Sequence, residues 1–307
     1  MGSDAHVFIW QDGNDARAPD ALLDEVVSEI DQFERLWSRF LPTSDVSRLN
    51  TAAGDPVPIA PETMTLLQFC REATRVTDGR FDPSVLPDLI AAGYDRSFEL
   101  LGSTARTATA RPAPEGRPIP RRDRIGLNGL VLDRMQSTAT IPRGAAIDLG
   151  GVAKGWTGDL IAHCLVAEGA VAACVNLGGD LATTGCVPEP DGLLIGVEDP
   201  FGGPDVALLR VQDQGVATTA RTRRRWTAPT GAMHHLIDPA TGQPAATGIA
   251  SVTATAPTGA WAEIVAKAVF LAAGDPPGDW LQSLGASALI IRDDRTIQTL
   301  GELPTLR

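Results

Sequence analysis

The ten residues 146–155, Ala-Ile-Asp-Leu-Gly-Gly-Val-Ala-Lys-Gly, constrain the fold of this chain more than any other stretch. An apolar run enters, a glycine pair interrupts it, and an apolar run bearing one lysine leaves. This pattern predicts a strand over 146–149 that turns through Gly150 and Gly151 into a helix over 152–168. Glycine lets backbone approach a ligand closely, Asp148 can accept hydrogen bonds, and Lys154 can set a point charge on a phosphate. The combination points to a nucleotide site, although its spacing is neither G-x-G-x-x-G nor G-x-x-x-x-G-K-[ST]. Taken alone, the segment reads equally well as a plain strand, turn and helix.

Around this segment the hydrophobic pattern predicts strands at 7–10, 125–127, 130–132, 138–141, 171–177, 193–197, 207–211, 249–255, 287–292 and 296–300. Helices are expected over 19–41, where Pro19 suits a first helical position, over 61–78, closed by Gly79, and over 261–273. Residues 44–50 read as a polar loop with cap-forming side chains. The elements alternate without a strict βαβ repeat, so the expected class is α+β, with mixed sheets and flanking helices, over one domain spanning 1–307. Residues 107–124 combine proline with arginine and lack periodicity, which predicts an exposed loop.

Composition narrows the function. With 307 residues, 43% of them apolar, the chain can bury a sizeable core. Its 38 acidic against 26 basic residues, a net charge of −12, disfavour nonspecific binding to nucleic acid or to an anionic membrane surface. Cys70, Cys164, Cys174 and Cys186 lack C-x-x-C spacing, which argues against a zinc site and a disulfide framework, and Cys164 and Cys174 are expected in a core. The first residues carry no basic and apolar leader pattern, and no apolar stretch is long enough to span a bilayer. The expected compartment is therefore the cytoplasm, or outside it if an export signal has been removed.

Five segments carry polar residues suited to chemistry: 37–50, 79–84, 148–155, 175–180 and 234–242. The last holds His234 and His235 before an Asp-Pro-x-Thr-Gly turn. Each has a plain structural alternative: Trp37 and Phe81 as core aromatics, Asn50 as a cap, Asp238 as a turn former, either histidine as a satisfied strand residue. The cluster Arg221 to Arg225 reads as a solvated turn, with a phosphate clamp as the alternative.

Together the motifs Ser38-Arg-Phe with Ser47-Arg-Leu-Asn50, Gly79-Arg-Phe-Asp-Pro, Ile147-Asp-Leu-Gly-Gly-Val-Ala-Lys-Gly155, Val175-Asn-Leu-Gly-Gly-Asp180, Val216-Ala-Thr-Thr219 and His235-Leu-Ile-Asp-Pro-Ala-Thr-Gly242 follow one another in the order of the ApbE family. Over nearly its whole length the chain resembles these FAD:protein FMN transferases. The resemblance implies an α+β fold with two lobes around a flavin-binding cleft. It also implies FAD as substrate or bound ligand, and transfer of its FMN half to a threonine or serine hydroxyl of an acceptor protein, with release of AMP. Trp37, Asn50, Arg80, Phe81, Asp82, Asp148, Lys154 and Ile237 match positions expected to contact the cofactor. His235 matches a histidine expected near the acceptor hydroxyl, and an unperturbed imidazole titrates close enough to neutrality to serve as a base.

The resemblance further implies Mg²⁺, held by a backbone carbonyl near Gly151 and by an Asp and a Thr four residues apart on a late helix. Here those two positions read Glu263 and Lys267. A glutamate can ligate a hard cation and an ammonium cannot, so Lys267 is expected as a cation substitute and not as a ligand. Three functions stay open on the sequence: an FMN transferase, an FAD pyrophosphatase giving FMN and AMP, and an FAD-binding homologue without transferase activity. A nicotinamide-dependent dehydrogenase is disfavoured, because neither glycine pair has the dinucleotide fingerprint.

Overall fold

The computed structural model describes residues 4–12, 18–104, 126–188, 192–228, 231–273 and 279–305. The expected Pro/Arg-rich loop at 107–124 lies outside them. The chain divides into two compact units, each built from separated segments: one from 34–151 and 221–246, the other from 3–33, 152–220 and 247–307.

Among the described residues the second unit is organised by a seven-stranded antiparallel sheet. Its spatial order is Ala5–Trp10, Ala172–Leu177, Asp180–Gly185, Gly215–Ala220, Ile249–Ala256, Ser287–Arg292 and Ile297–Leu300. The helices Ala153–Ala167 and Gly259–Leu271 pack against it. Cys174, Leu181, Leu209, Val211, Val216, Leu289 and Ile291 form a buried cluster with the hairpin of Leu193–Val197 and Ala207–Val211. Every residue of Ile249–Ala256 is buried, which is why this strand reads as a continuous apolar and threonine run without strict alternation.

Leu177 pairs with Asp180, so Gly178 and Gly179 alone make the turn between two strands, and both have positive φ, 64° and 95°. A two-residue hairpin with left-handed conformation at both central positions is the turn whose twist matches its strands, and glycine enters it without steric cost. The second glycine pair is thus a hairpin turn that sets Asp180 at the head of its strand.

The two helices cross where Gly155 meets Gly259. A Cβ built on Gly155 would lie 2.4 Å from the Gly259 carbonyl oxygen, and one built on Gly259 would lie 3.0 Å from the Gly155 carbonyl oxygen. The last glycine of the 146–155 motif is there to let two helices touch backbone to backbone.

In the first unit, Pro61–Val76 packs its apolar face inward through Met64, Leu66, Leu67 and Cys70. Residues 45–51, expected as loop, form the helix Asp45–Thr51, capped by the Ser44 side chain, which accepts from the Ser47 N–H. Residues 146–149 are not a strand: the Ile147 N–H goes to the Asn50 side chain and the Asp148 N–H to the Pro83 carbonyl, so no ladder forms. Gly126–Gly129 is a 3₁₀ turn where a strand was expected, and Cys164 is half-buried, whereas Cys174 is fully buried. Among the described residues no helix is long and apolar enough to cross a membrane.

The helix crossing gives a direct prediction. Gly155→Ala should lower the stability of the chain by about 1–3 kcal/mol, the usual cost of overpacking, read as a lower urea midpoint. A midpoint equal to wild type would contradict the close approach.

Candidate functional site

In the first unit, three sequence motifs converge on residues 147 and 148. The Asn50 side chain clamps Ile147 from both sides: its Nδ2 donates to the Ile147 carbonyl at 2.9 Å, and its Oδ1 accepts from the Ile147 N–H at 2.8 Å. Arg39 Nε lies 3.0 Å from Asp148 Oδ2, in an ion pair whose side chains are 6% and 16% exposed. The other carboxylate oxygen accepts from the Gly150 N–H at 2.8 Å, closing an Asx turn, and the Asp148 N–H donates to the Pro83 carbonyl at 2.8 Å. Asp148 is therefore fixed at three atoms.

Arg39 is itself held in place. Its Nη2 donates to the Tyr94 carbonyl at 2.8 Å, and its guanidinium stands 4.2 Å from the Phe40 ring centroid and 4.7 Å from that of Tyr94. A planar guanidinium between aromatic faces keeps its charge while losing little by partial burial. Burial pushes the Tyr94 phenol above its ordinary range. The Tyr94 ring also packs on Trp226, whose indole N–H donates to the Ala92 carbonyl at 2.8 Å. The motif Ser38-Arg-Phe belongs to the family pattern, yet Arg39 was not singled out from sequence. An arginine beside an aromatic residue is too common to flag without its partner, which lies 109 positions away at Asp148.

The remaining predicted residues of this unit fall into two groups. Trp37 is buried and donates to Thr63 Oγ1 at 3.2 Å, Phe81 is 5% exposed, and Ile237 packs with Leu89 and Tyr94 in a core cluster. These three build the scaffold, which is the plain reading that their residue types allowed. Arg80 is half-buried, and Asp82 Oδ1 caps the following turn by accepting from the Ser84 N–H at 2.8 Å and its hydroxyl at 2.6 Å.

The adjacent histidines separate. His234 Nε2 contacts the Ala245 carbonyl at 3.1 Å while its Nδ1 accepts from the Leu236 N–H at 3.3 Å, and burial holds its pKa below the ordinary value. His235 Nδ1 faces the Arg224 carbonyl at 3.3 Å, which assigns the proton to Nδ1 and makes Nε2 the ring's acceptor.

In the second unit, Lys154, in the first turn of Ala153–Ala167, forms an ion pair with Asp180, which also accepts from the Thr218 N–H at 3.3 Å. The Glu263 carboxylate is 1% exposed and divides its oxygens: Oε2 accepts from the Gly155 N–H at 2.9 Å, and Oε1 accepts from Lys267 Nζ at 3.0 Å. The Gly155 N–H is one of the helix's unpaired first-turn donors, so Glu263 acts as a cap from a neighbouring helix. Asp159 returns the cap: its two oxygens accept from the Gly259 and Ala260 N–H groups at 2.6 and 2.9 Å.

Burial raises the Asp180 carboxyl, with Lys154 opposing and the Glu263 charge adding to the rise. For Glu263 burial acts upward as well, but Lys267, Lys154 and the Gly155 N–H outweigh it and hold the group below its ordinary value. Lys154, Lys267, Asp180 and Glu263 thus form one electrostatically linked cluster of net charge zero.

This donor set does not fit the Mg²⁺ implied by the resemblance. Mg²⁺ demands near-octahedral oxygen ligation, whereas both Glu263 oxygens already accept from donors of this chain and its i+4 neighbour is an ammonium. Among the described residues no three His, Cys, Asp or Glu side chains are grouped to hold a metal ion.

Fold and geometry define the class: a mixed α+β protein of two interleaved units, each fixing part of the polar motif set in its own hydrogen-bond network. Residues 1–290 match the model of the ApbE family, and the chain belongs to that family. It is 24% identical over 308 residues to an FAD:protein FMN transferase of Haemophilus influenzae, covering 97% of this chain and 86% of that one. It is 28% identical over 292 residues to the FAD:protein FMN transferase of Treponema pallidum, covering 91% and 79%. Among solved structures, the ApbE protein of Thermotoga maritima superposes with a TM-score of 0.77 at 23% identity, covering 96% of this chain and 97% of that one. The flavin transferase ApbE of Vibrio cholerae gives 0.78 at 21% identity, covering 98% and 94%. These likenesses show the shared fold.

Asp159 supplies the testable electrostatics. Burial pushes its pKa from the ordinary 3.8 up to about 6, against the two N–H donors that favour the charged form. A carboxyl that holds its proton more tightly when folded contributes stability in full below about pH 4, and this is lost as pH rises through about 6. Asp159→Asn, which does not titrate, should therefore gain on wild type between pH 4 and pH 7 by on the order of 2–3 kcal/mol, measured as the difference in urea unfolding free energy. A difference independent of pH would contradict the assignment.

Proposed function

We propose that this chain transfers the FMN half of FAD to a threonine or serine hydroxyl of an acceptor protein, forming a phosphoester and releasing AMP. What carries the reading is the end-to-end match to relatives bearing that activity as their name, in a chain that holds Lys154 on the first turn of a 15-residue helix. A helix N-terminus with an ammonium beside it favours phosphate by dipole and charge together.

The bond chemistry assigns tasks to residues. The acceptor oxygen attacks the FMN phosphorus, the bond from that phosphorus to the bridging oxygen breaks, and AMP leaves with the bridging oxygen. The hydroxyl proton passes to a base. His235 is assigned that role, since its Nδ1 contact with a backbone carbonyl orients the ring and directs Nε2 toward proton acceptance. Lys154 is assigned to the charge on the pyrophosphate. Asp148, held by Arg39, Gly150 and Pro83, offers a fixed acceptor to the polar edge of the ligand, and Arg39 and Asn50 act through it as positioning residues. Arg80 and Asp82 complete the assigned cofactor contacts. No step is routed through a divalent metal, because the Glu263 and Lys267 positions do not fit one.

Incubation with FAD and a threonine-containing acceptor peptide should release AMP and leave the peptide covalently fluorescent. Lys154→Ala should lower both products by about 100-fold or more, as removal of a transition-state charge contact does, and His235→Ala should lower them while FAD still binds. AMP release without peptide labelling would instead indicate hydrolysis. Absence of both products with FAD bound would remove the enzyme reading.

A further inference from the structure

The Glu263–Lys267 pair differs from a surface i, i+4 pair in three respects. Its carboxylate is 1% exposed and its ammonium side chain 19%. Its second carboxylate oxygen is bound by the backbone of a different helix, through the Gly155 N–H. A second buried ion pair, Lys154–Asp180, is electrostatically linked to it, so that two carboxylates are balanced by two ammonium groups. We infer that Lys267 is a built-in cation: its ammonium fills the position on Glu263 that a divalent metal would need, so this chain takes up no divalent ion there.

The argument is one of charge and donors. An ammonium donates and cannot ligate, and it neutralises Glu263 from the adjacent helical turn in the favourable order, glutamate before lysine. A divalent ion at Glu263 Oε1 would have to displace Lys267 and leave the buried cluster with two positive charges in excess. Removing Lys267 reverses the balance: three charges remain, one positive and two negative, and one face of Glu263 loses its donor. The same cluster should then accept a divalent cation.

The test is Glu263-dependent Mn²⁺ uptake, read as loss of the free-ion electron paramagnetic resonance signal and defined as the uptake abolished by Glu263→Gln in the same background. Wild type should show none. Lys267→Thr, and the longer neutral Lys267→Gln as a second variant should the first fold poorly, should each take up a single ion, and magnesium should compete it away. Glu263-dependent uptake by wild type would overturn the inference, as would folded Lys267 variants that show none. A second arm rests on the transferase reading: AMP release by wild type should be unchanged in excess chelator, and its loss there would also overturn the inference. Because uptake is read without turnover, failure of the transferase reading is distinguishable from failure of this one.

Discussion

The second unit depends on a reciprocal capping of two helices. Glu263 of Gly259–Leu271 accepts from the first turn of Ala153–Ala167, and Asp159 of Ala153–Ala167 accepts from the first turn of Gly259–Leu271. Each carboxylate sits one helical turn beyond the glycine at which the helices touch, Gly259 and Gly155. Unpaired N–H donors in a buried helix end are costly, and a carboxylate satisfies them while complementing the helix dipole. The cost is desolvation of two acids, seen in the upward push on Asp159 and offset at Glu263 by two lysines. Lys154 is placed by the same device, since it stands next to the residue that Glu263 caps.

The first unit solves a different problem with similar means. Residues 147–148 have no strand partner, and their backbone groups are satisfied instead by Asn50 and Pro83. Arg39 then fixes the Asp148 carboxylate from a bed of Phe40 and Tyr94. In both units, motif residues separated widely in sequence hold one another, and only some of them are left to address a ligand. This division explains why one motif list contains scaffold residues such as Trp37 and Ile237 beside candidates such as Lys154 and His235.

Much of this was legible in the chain, and the exceptions have physical causes. The α+β class, the helices beginning at Pro19 and Pro61, and the strands Ala172–Leu177 and Leu193–Val197 followed from periodicity and caps. The strands Asp180–Gly185 and Gly215–Ala220 escaped because alanine, threonine and glycine carry little hydrophobic signal, although both lie inside the sheet. Asp45–Thr51 looked like a loop because its burial comes from a polar residue: Asp45 accepts from Ala60 N–H and Thr63 Oγ1 in the interior. The expected strand at 146–149 failed for the converse reason, since apolar residues were buried by an extended segment whose hydrogen bonds go to a side chain and a loop. The ordered motifs pointed to the family, but the roles of Arg39 and Asp159 depend on partners about a hundred residues away, which no local pattern displays.

The account turns on the neutrality of the Lys154, Asp180, Glu263 and Lys267 cluster, which makes the cation of this site a side chain. Diffraction data recorded at the manganese absorption edge, from crystals of the chain grown with FAD and MnCl₂, address it most directly. The predicted result is no anomalous peak at Glu263, with Lys267 Nζ within hydrogen-bonding distance of its carboxylate. A manganese peak at coordination distance from Glu263, with Lys267 turned away, would contradict it.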